Sequence, residues 1–172
     1  MKPKEEPPQI ELLEIFYYVD GVLYFNKSTN NRMRIGCIAG NIGSDGYFRV
    51  GYNKASYKNH RLIWVMFNGS IPTGFVIDHI DGNKQNNIIE NLRLATYSEN
   101  CINSRKSKTL NGTKGVRNMG NRYPYNPWRA QISKNGKQQC AYFHTKEEAD
   151  SWYNEMSEML HGKFKYNNKV IL

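Results

Sequence analysis

Hydrophobic and polar positions alternate with a period of two in several short stretches and recur near a period of 3.6 in two others. That mixture predicts small sheets with a few helices. Tyr17-Tyr18-Val19 runs into Asp20-Gly21 and is followed by Val22 to Phe25, the pattern of a tight hairpin. A second turn, Ser44-Asp45-Gly46, leads into Tyr47-Phe48-Arg49-Val50. Between His60 and Asn68 the positions Leu62, Ile63, Val65, Met66 and Phe67 read as a short buried helix closed by Gly69. Further on, Gly115–Met119, Trp128–Lys134 and Gln138–His144 read as three strands, the last two joined by Asn135-Gly136. Thr145 stands three residues before Glu148, a capping box. Behind it Ala149, Trp152, Tyr153, Met156 and Leu160 form a helical stripe that ends at Gly162. The fold class expected is α+β: a small β segment, a strand-rich central core, then a three-stranded antiparallel sheet packed on one helix.

In the second of these strands Trp128, Ala130 and Ile132 share one face, and Arg129, Gln131 and Ser133 share the other. A helix covering the apolar face leaves the Arg/Gln face open. Residues 1–14, rich in Pro and charge, are expected to be a disordered tail. Residues 15–104 are read as the β segment plus central domain (core 60–104), 105–112 as a linker and 113–167 as the sheet-and-helix domain.

Charge sharpens this picture. The net charge is +9, of which residues 105–172 carry +8, and no acidic residue stands between Asn100 and Thr145. Solvated faces usually mix signs, so the one-sided stretch points to a polyanionic partner. Basic, aromatic and amide side chains alternate there, which favours nucleic acid over a membrane surface, and the open Arg/Gln sheet face favours double-stranded DNA. The residues expected to touch DNA are Arg93, Arg105, Lys106, Arg117, Arg122, Arg129, Gln131, Lys134, Lys137 and Gln139.

The longest apolar run, Leu62 to Phe67, has six residues, far short of the roughly 20 a membrane helix needs. No apolar stretch backs the first charges, so no secretory signal is expected. The expected location is the cytoplasm. Cys37, Cys101 and Cys140 lie far apart and are expected to be reduced, partly buried thiols, with no structural zinc.

The chemistry concentrates in Phe75-Val-Ile-Asp78-His79-Ile-Asp81-Gly82-Asn83, Asn91-Leu92-Arg93 and Thr96-Tyr-Ser-Glu99-Asn100. A strand enters Asp78-His79, a polar loop follows, and Thr96 with Glu99 starts a helix that contains Asn100. Phosphodiester hydrolysis needs an activated water and a means of stabilising charge on the leaving oxygen. A neutral His79 can accept the proton of that water. Asp78, with an oxygen donor such as Asn100, can hold a hard divalent cation. Asn91 can hold either the imidazole or its loop. Asp81 is read as the start of a turn, and His60 as a residue that caps or packs at its helix. Arg93 is left open between a phosphate contact and a pair with Glu90.

Taken with His60-Arg61-Leu62-Ile63-Trp64, these motifs resemble the HNH endonucleases of phages and group I introns, in the subgroup whose third motif position is Asn. The resemblance implies a ββα-metal core with His79 as general base, Asn91 as the positioning residue and Asp78 and Asn100 as metal ligands. One Mg2+ or Mn2+ per active site is implied, because an amide oxygen replaces the imidazole that zinc prefers. The segment Gly115-Val116-Arg117, Trp128-Arg129-Ala130-Gln131-Ile132, Asn135-Gly136-Lys137 and Phe143 is similar to the Apetala/ethylene-response-factor DNA-binding domain, which reads the major groove with its sheet. Together the two imply a metal-dependent DNA endonuclease of the homing, mobile-element type. A single catalytic set favours a nicking monomer, and dimerisation would convert the nick to a double-strand break. The competing reading is a non-catalytic DNA-binding protein on a nuclease scaffold.

Overall fold

The computed structural model describes residues 5–28, 34–103, 114–134 and 136–164. The chain divides into two compact units, Met1–Tyr97 and Ser98–Leu172. The expected linker, 105–112, and with it Arg105 and Lys106, lies outside the described residues.

The first unit opens with helix α1 (Gln9–Ile15), where the sequence suggests a disordered tail. Seven residues are too few for a stable isolated helix, so packing must hold α1 in place. Leu12 and Ile15 are buried, Gln9 Nε2 donates to Met66 O at 2.9 Å, and Tyr52 Oη donates to Glu11 Oε1 at 2.6 Å. Arg61 pairs with Glu6 just ahead of the helix. Strands β1 (Phe16–Val19) and β2 (Val22–Phe25) form the hairpin anticipated at Asp20-Gly21, where both turn residues have positive φ (45° and 84°).

A three-stranded antiparallel sheet follows, made of β3 (Asn41–Ile42), β4 (Phe48–Tyr52) and β5 (Ala55–Lys58). Its β4–β5 turn, Asn53-Lys54, also has φ positive at both positions (48° and 60°). No glycine marks this turn in the sequence. Helix α2 (Asn59–Asn68) buries Leu62, Ile63, Val65 and Met66 in a core shared with Leu12, Phe16, Leu23 and Val50, and Gly69 closes it at φ 77°. Then β6 (Phe75–His79) and β7 (Leu92–Thr96) pair antiparallel, and helix α3 (Tyr97–Asn103) begins where β7 ends.

The second unit contains β8 (Val116–Asn118), β9 (Trp128–Lys134), β10 (Lys137–Phe143) and helix α4 (Lys146–His161), with β9 central in the sheet. Thr145 caps α4 as anticipated: Glu148 N donates to Thr145 Oγ1 and Thr145 N to Glu148 Oε2, both at 3.2 Å. Val116, Ala130 and Ile132 pack against Ala149 and Tyr153 of the helix. At Gly115, φ is +80° and a Cβ would come within 2.3 Å of the Tyr153 ring, so only glycine fits.

Register decides which side chains face away from α4. Arg117, Arg129 and Tyr142 lie directly opposite one another across the three strands, and Gln131 lies opposite Cys140. Gln139 pairs with Ile132 and Lys137 with Lys134, which places these three polar residues on the helix side, around Leu160. The open face therefore lacks Lys134, Lys137 and Gln139. Opposed residues of an antiparallel pair share a face, and Ile132 is committed to the core. Cys37, Cys101 and Cys140, expected to be partly buried, are all exposed. Among the described residues no helix is long and apolar enough to cross a membrane.

Candidate active site

The site is built on the β6–β7 hairpin. Asp78 and His79 end β6 and are almost wholly buried, at 6% and 4% exposure. Neighbouring residues on a strand point to opposite sides, so each meets its own surroundings. Asp78 lies opposite Arg93, whose Nε and Nη2 both donate to Asp78 Oδ2, at 2.9 and 2.7 Å. The sequence leaves Arg93 open between a phosphate and Glu90; the fold pairs it with Asp78. The hairpin register brings together a carboxylate and a guanidinium fifteen residues apart.

His79 Nε2 meets Asn87 Oδ1 at 2.9 Å in the interior. An amide oxygen only accepts, so Nε2 carries the proton and Nδ1 keeps the lone pair. Asn87 was not singled out in the sequence: it is one asparagine among several in a polar loop. Asn91 secures that loop. Its Oδ1 accepts from Asp81 N at 3.1 Å, and its Nδ2 donates to Asp81 Oδ1 at 3.0 Å and to Asn86 O at 2.8 Å. Asp81 forms the expected turn, accepting from Asn83 N at 2.8 Å and from Asn86 Nδ2 at 2.8 Å. Burial alone would raise the Asp81 carboxyl, and the bonds from Asn86, Asn91 and Asn83 outweigh it to leave the pKa lowered.

His60, in the first turn of α2, sits edge-on to His79 with ring centroids 4.8 Å apart, and the Tyr47 ring lies against both. Burial pushes His79 below its usual pKa, partly offset by the Asn87 bond and by Asp81 and Asp78. Burial, then the nearby His79, Lys58 and Arg61, hold His60 well below its usual value. Both imidazoles are therefore neutral at pH 7. Unfolding restores ordinary values near 6.5, so the unfolded chain binds protons first as the pH drops. The stability of this unit is expected to be full above about pH 6.5 and to fall with further acidification. Melting temperatures at pH 7.5 and 5 test this, and equal values would contradict it.

Asn100 lies in the middle of α3, half-buried, in the unit that starts at Ser98. Among the described residues no group of three or more His, Cys, Asp or Glu side chains is placed to hold a metal. The donors named by the sequence are instead one carboxylate and one amide, a set of hard oxygens suited to Mg2+ or Mn2+. In the second unit Arg129 Nε is buried without a hydrogen-bond partner among the described residues, and the Tyr123 and Tyr142 rings pack 4.6 Å apart beside the Arg117–Arg129 row. Arg122 stands exposed on the single-turn helix Gly120–Arg122.

Comparison with known proteins gives a consistent set of relatives. A family model described as HNH endonuclease matches residues 57–101, the stretch from β5 into α3. An uncharacterised HNH endonuclease of Acanthamoeba polyphaga mimivirus is 32% identical over 186 residues, covering 98% of this chain and 95% of that protein. The DNA endonuclease I-HmuI of Bacillus phage SP01 is 40% identical over 77 residues, which span 42% of this chain and 44% of I-HmuI. A solved structure of I-HmuI, described as DNA binding and cleavage by that HNH homing endonuclease, aligns over 84% of this chain and 82% of its own, with TM-score 0.40 and 25% identity.

Proposed function

The chain belongs to the HNH endonuclease family and is a nuclease; from that premise we propose that it hydrolyses DNA phosphodiesters with His79 as general base and a divalent cation as partner. The observation that carries the role of His79 is its buried, neutral imidazole, held at Nε2 by Asn87. Nδ1 is then the nitrogen proposed to take a proton from the attacking water. Asn91 keeps the loop after His79 in one conformation and so positions that base. Asp78, steadied by Arg93, is the carboxylate proposed for the cation, and Asn100 is the amide oxygen the sequence pairs with it. Mg2+ or Mn2+ would supply the positive charge that stabilises the leaving oxygen.

In the second unit the open sheet face is proposed to hold the duplex. Arg117, Arg129 and Gln131, with Arg122 beside them, suit phosphate and base-edge contacts, Arg with guanine and Gln with adenine. The orphaned Arg129 Nε supports this reading, because a buried donor without a partner gains most from an anionic or carbonyl acceptor. Arg105 and Lys106 would add phosphate affinity. A mobile-element role, acting as a nicking monomer, is part of the proposal.

Supercoiled plasmid incubated with Mg2+ or Mn2+ is expected to become open-circular, with no change in EDTA. If the protein shifts DNA in a gel yet leaves it intact with every metal, the binding-only reading replaces this one.

A further inference from the structure

Tyr47, just ahead of β4, stands between the two buried imidazoles and two lysines. Its ring centroid is 5.0 Å from that of His60 and 5.9 Å from that of His79. Lys58 Nζ lies over the same ring at 3.8 Å and Lys84 Nζ at 4.8 Å. The lysines come from different places: Lys58 ends β5, and Lys84 belongs to the loop that follows His79. Lys84 donates to Asp45 O at 3.0 Å, and Lys58 lies 3.8 Å from the Asp45 carboxylate. That carboxylate is already bound by Arg49 at 2.6 Å. The acid thus meets two of these cations, Arg49 and Lys58, and Lys84 reaches only its backbone carbonyl. Two ammonium groups gathered on one aromatic ring repel each other, and an anion beside them relieves that repulsion.

We infer that Lys58 and Lys84, carried on the Tyr47 ring, clamp a backbone phosphate of the DNA strand whose scissile bond is presented to His79. The inference rests on the nuclease reading. It concerns a part of the site that general base and metal ligands leave unassigned, namely what seats the strand. A strand carries a charge at every nucleotide, so one that brings a phosphate to His79 brings neighbouring phosphates past the adjoining ring. Lysine suits this role as a flexible point charge that needs no fixed bidentate geometry.

The test is single-turnover nicking of supercoiled plasmid in Mg2+ at increasing KCl. Lys58→Gln and Lys84→Gln are each expected to raise the half-saturating protein concentration about tenfold. Each should also flatten the log–log salt dependence by about one. The rate at saturation should change much less, and Lys58→Arg should restore the wild-type slope. Matching melting temperatures exclude misfolding as the cause. A second measurement needs no variant: once the cut is mapped, a duplex with one neutral methylphosphonate beside it should lose a similar factor with the wild-type protein. If wild type nicks, and neither the Gln variants nor the methylphosphonates on either side of the cut alter half-saturation or salt slope, the clamp is wrong. If wild type never nicks with any metal, the nuclease reading falls first and the clamp with it.

Discussion

Replacing His79 with alanine is expected to slow strand cleavage by about 100- to 10,000-fold, the usual contribution of a positioned general base. DNA binding should persist, because the proposed duplex contacts lie on the sheet of the second unit. The comparison is a single-turnover nicking rate with saturating protein and Mg2+, set beside a gel-shift titration of the same preparation. Loss of both signals would mean that the variant had lost its fold, and Asn87→Ala then gives the separating result. That change leaves the imidazole in place but frees Nε2 from its acceptor, so cleavage should fall by about 10- to 100-fold through loss of the tautomer and orientation. An unchanged cleavage rate in His79→Ala would remove His79 from the mechanism.

The second large effect is on stability. Arg93→Ala should cost about 3–5 kcal/mol, because it strips the guanidinium from a carboxylate that is 6% exposed. In a unit of this size that lowers the melting temperature by more than about 10 °C. Urea or thermal unfolding of the variant measures it. A double variant, Asp78→Asn with Arg93→Met, should lose less than Arg93→Ala alone, since removing both charges leaves none stranded. If the single variant is as stable as wild type, the Asp78–Arg93 pair holds nothing together.

Local chemistry explains which parts could be read from the chain. Asp20-Gly21, the Thr145–Glu148 capping box and the stripe from Ala149 to Leu160 are signals confined to a few residues, and each element stands where its signal lies. Asp78 and His79 were legible as a chemical pair at a strand end for the same reason. Helix α1 was not, because its stability comes from burying Leu12 and Ile15 in a core built by residues far along the chain. The Asp78–Arg93 pair depends on hairpin register across a long loop, which no local pattern sets. Gln139 reads as polar and strand-borne, but its face is fixed by pairing with Ile132. Among the loop asparagines, geometry alone separates Asn87, which holds the imidazole, from Asn91, which holds the loop.

The N-terminal helix also bears on how the chain comes together. Its links reach far: Gln9 to Met66 spans 57 residues and Glu6 to Arg61 spans 55, whereas Asp78 to Arg93 spans 15 and His79 to Asn87 only 8. Closing the longer loops costs about 1 kcal/mol more chain entropy than closing the hairpin. Hairpins of this kind form within microseconds. The turn after His79 is therefore cheaper to close, and to remake after a local opening, than the contacts that hold α1. The clasp formed by α1, which the chain completes only over a long span, is the natural place for such opening to begin.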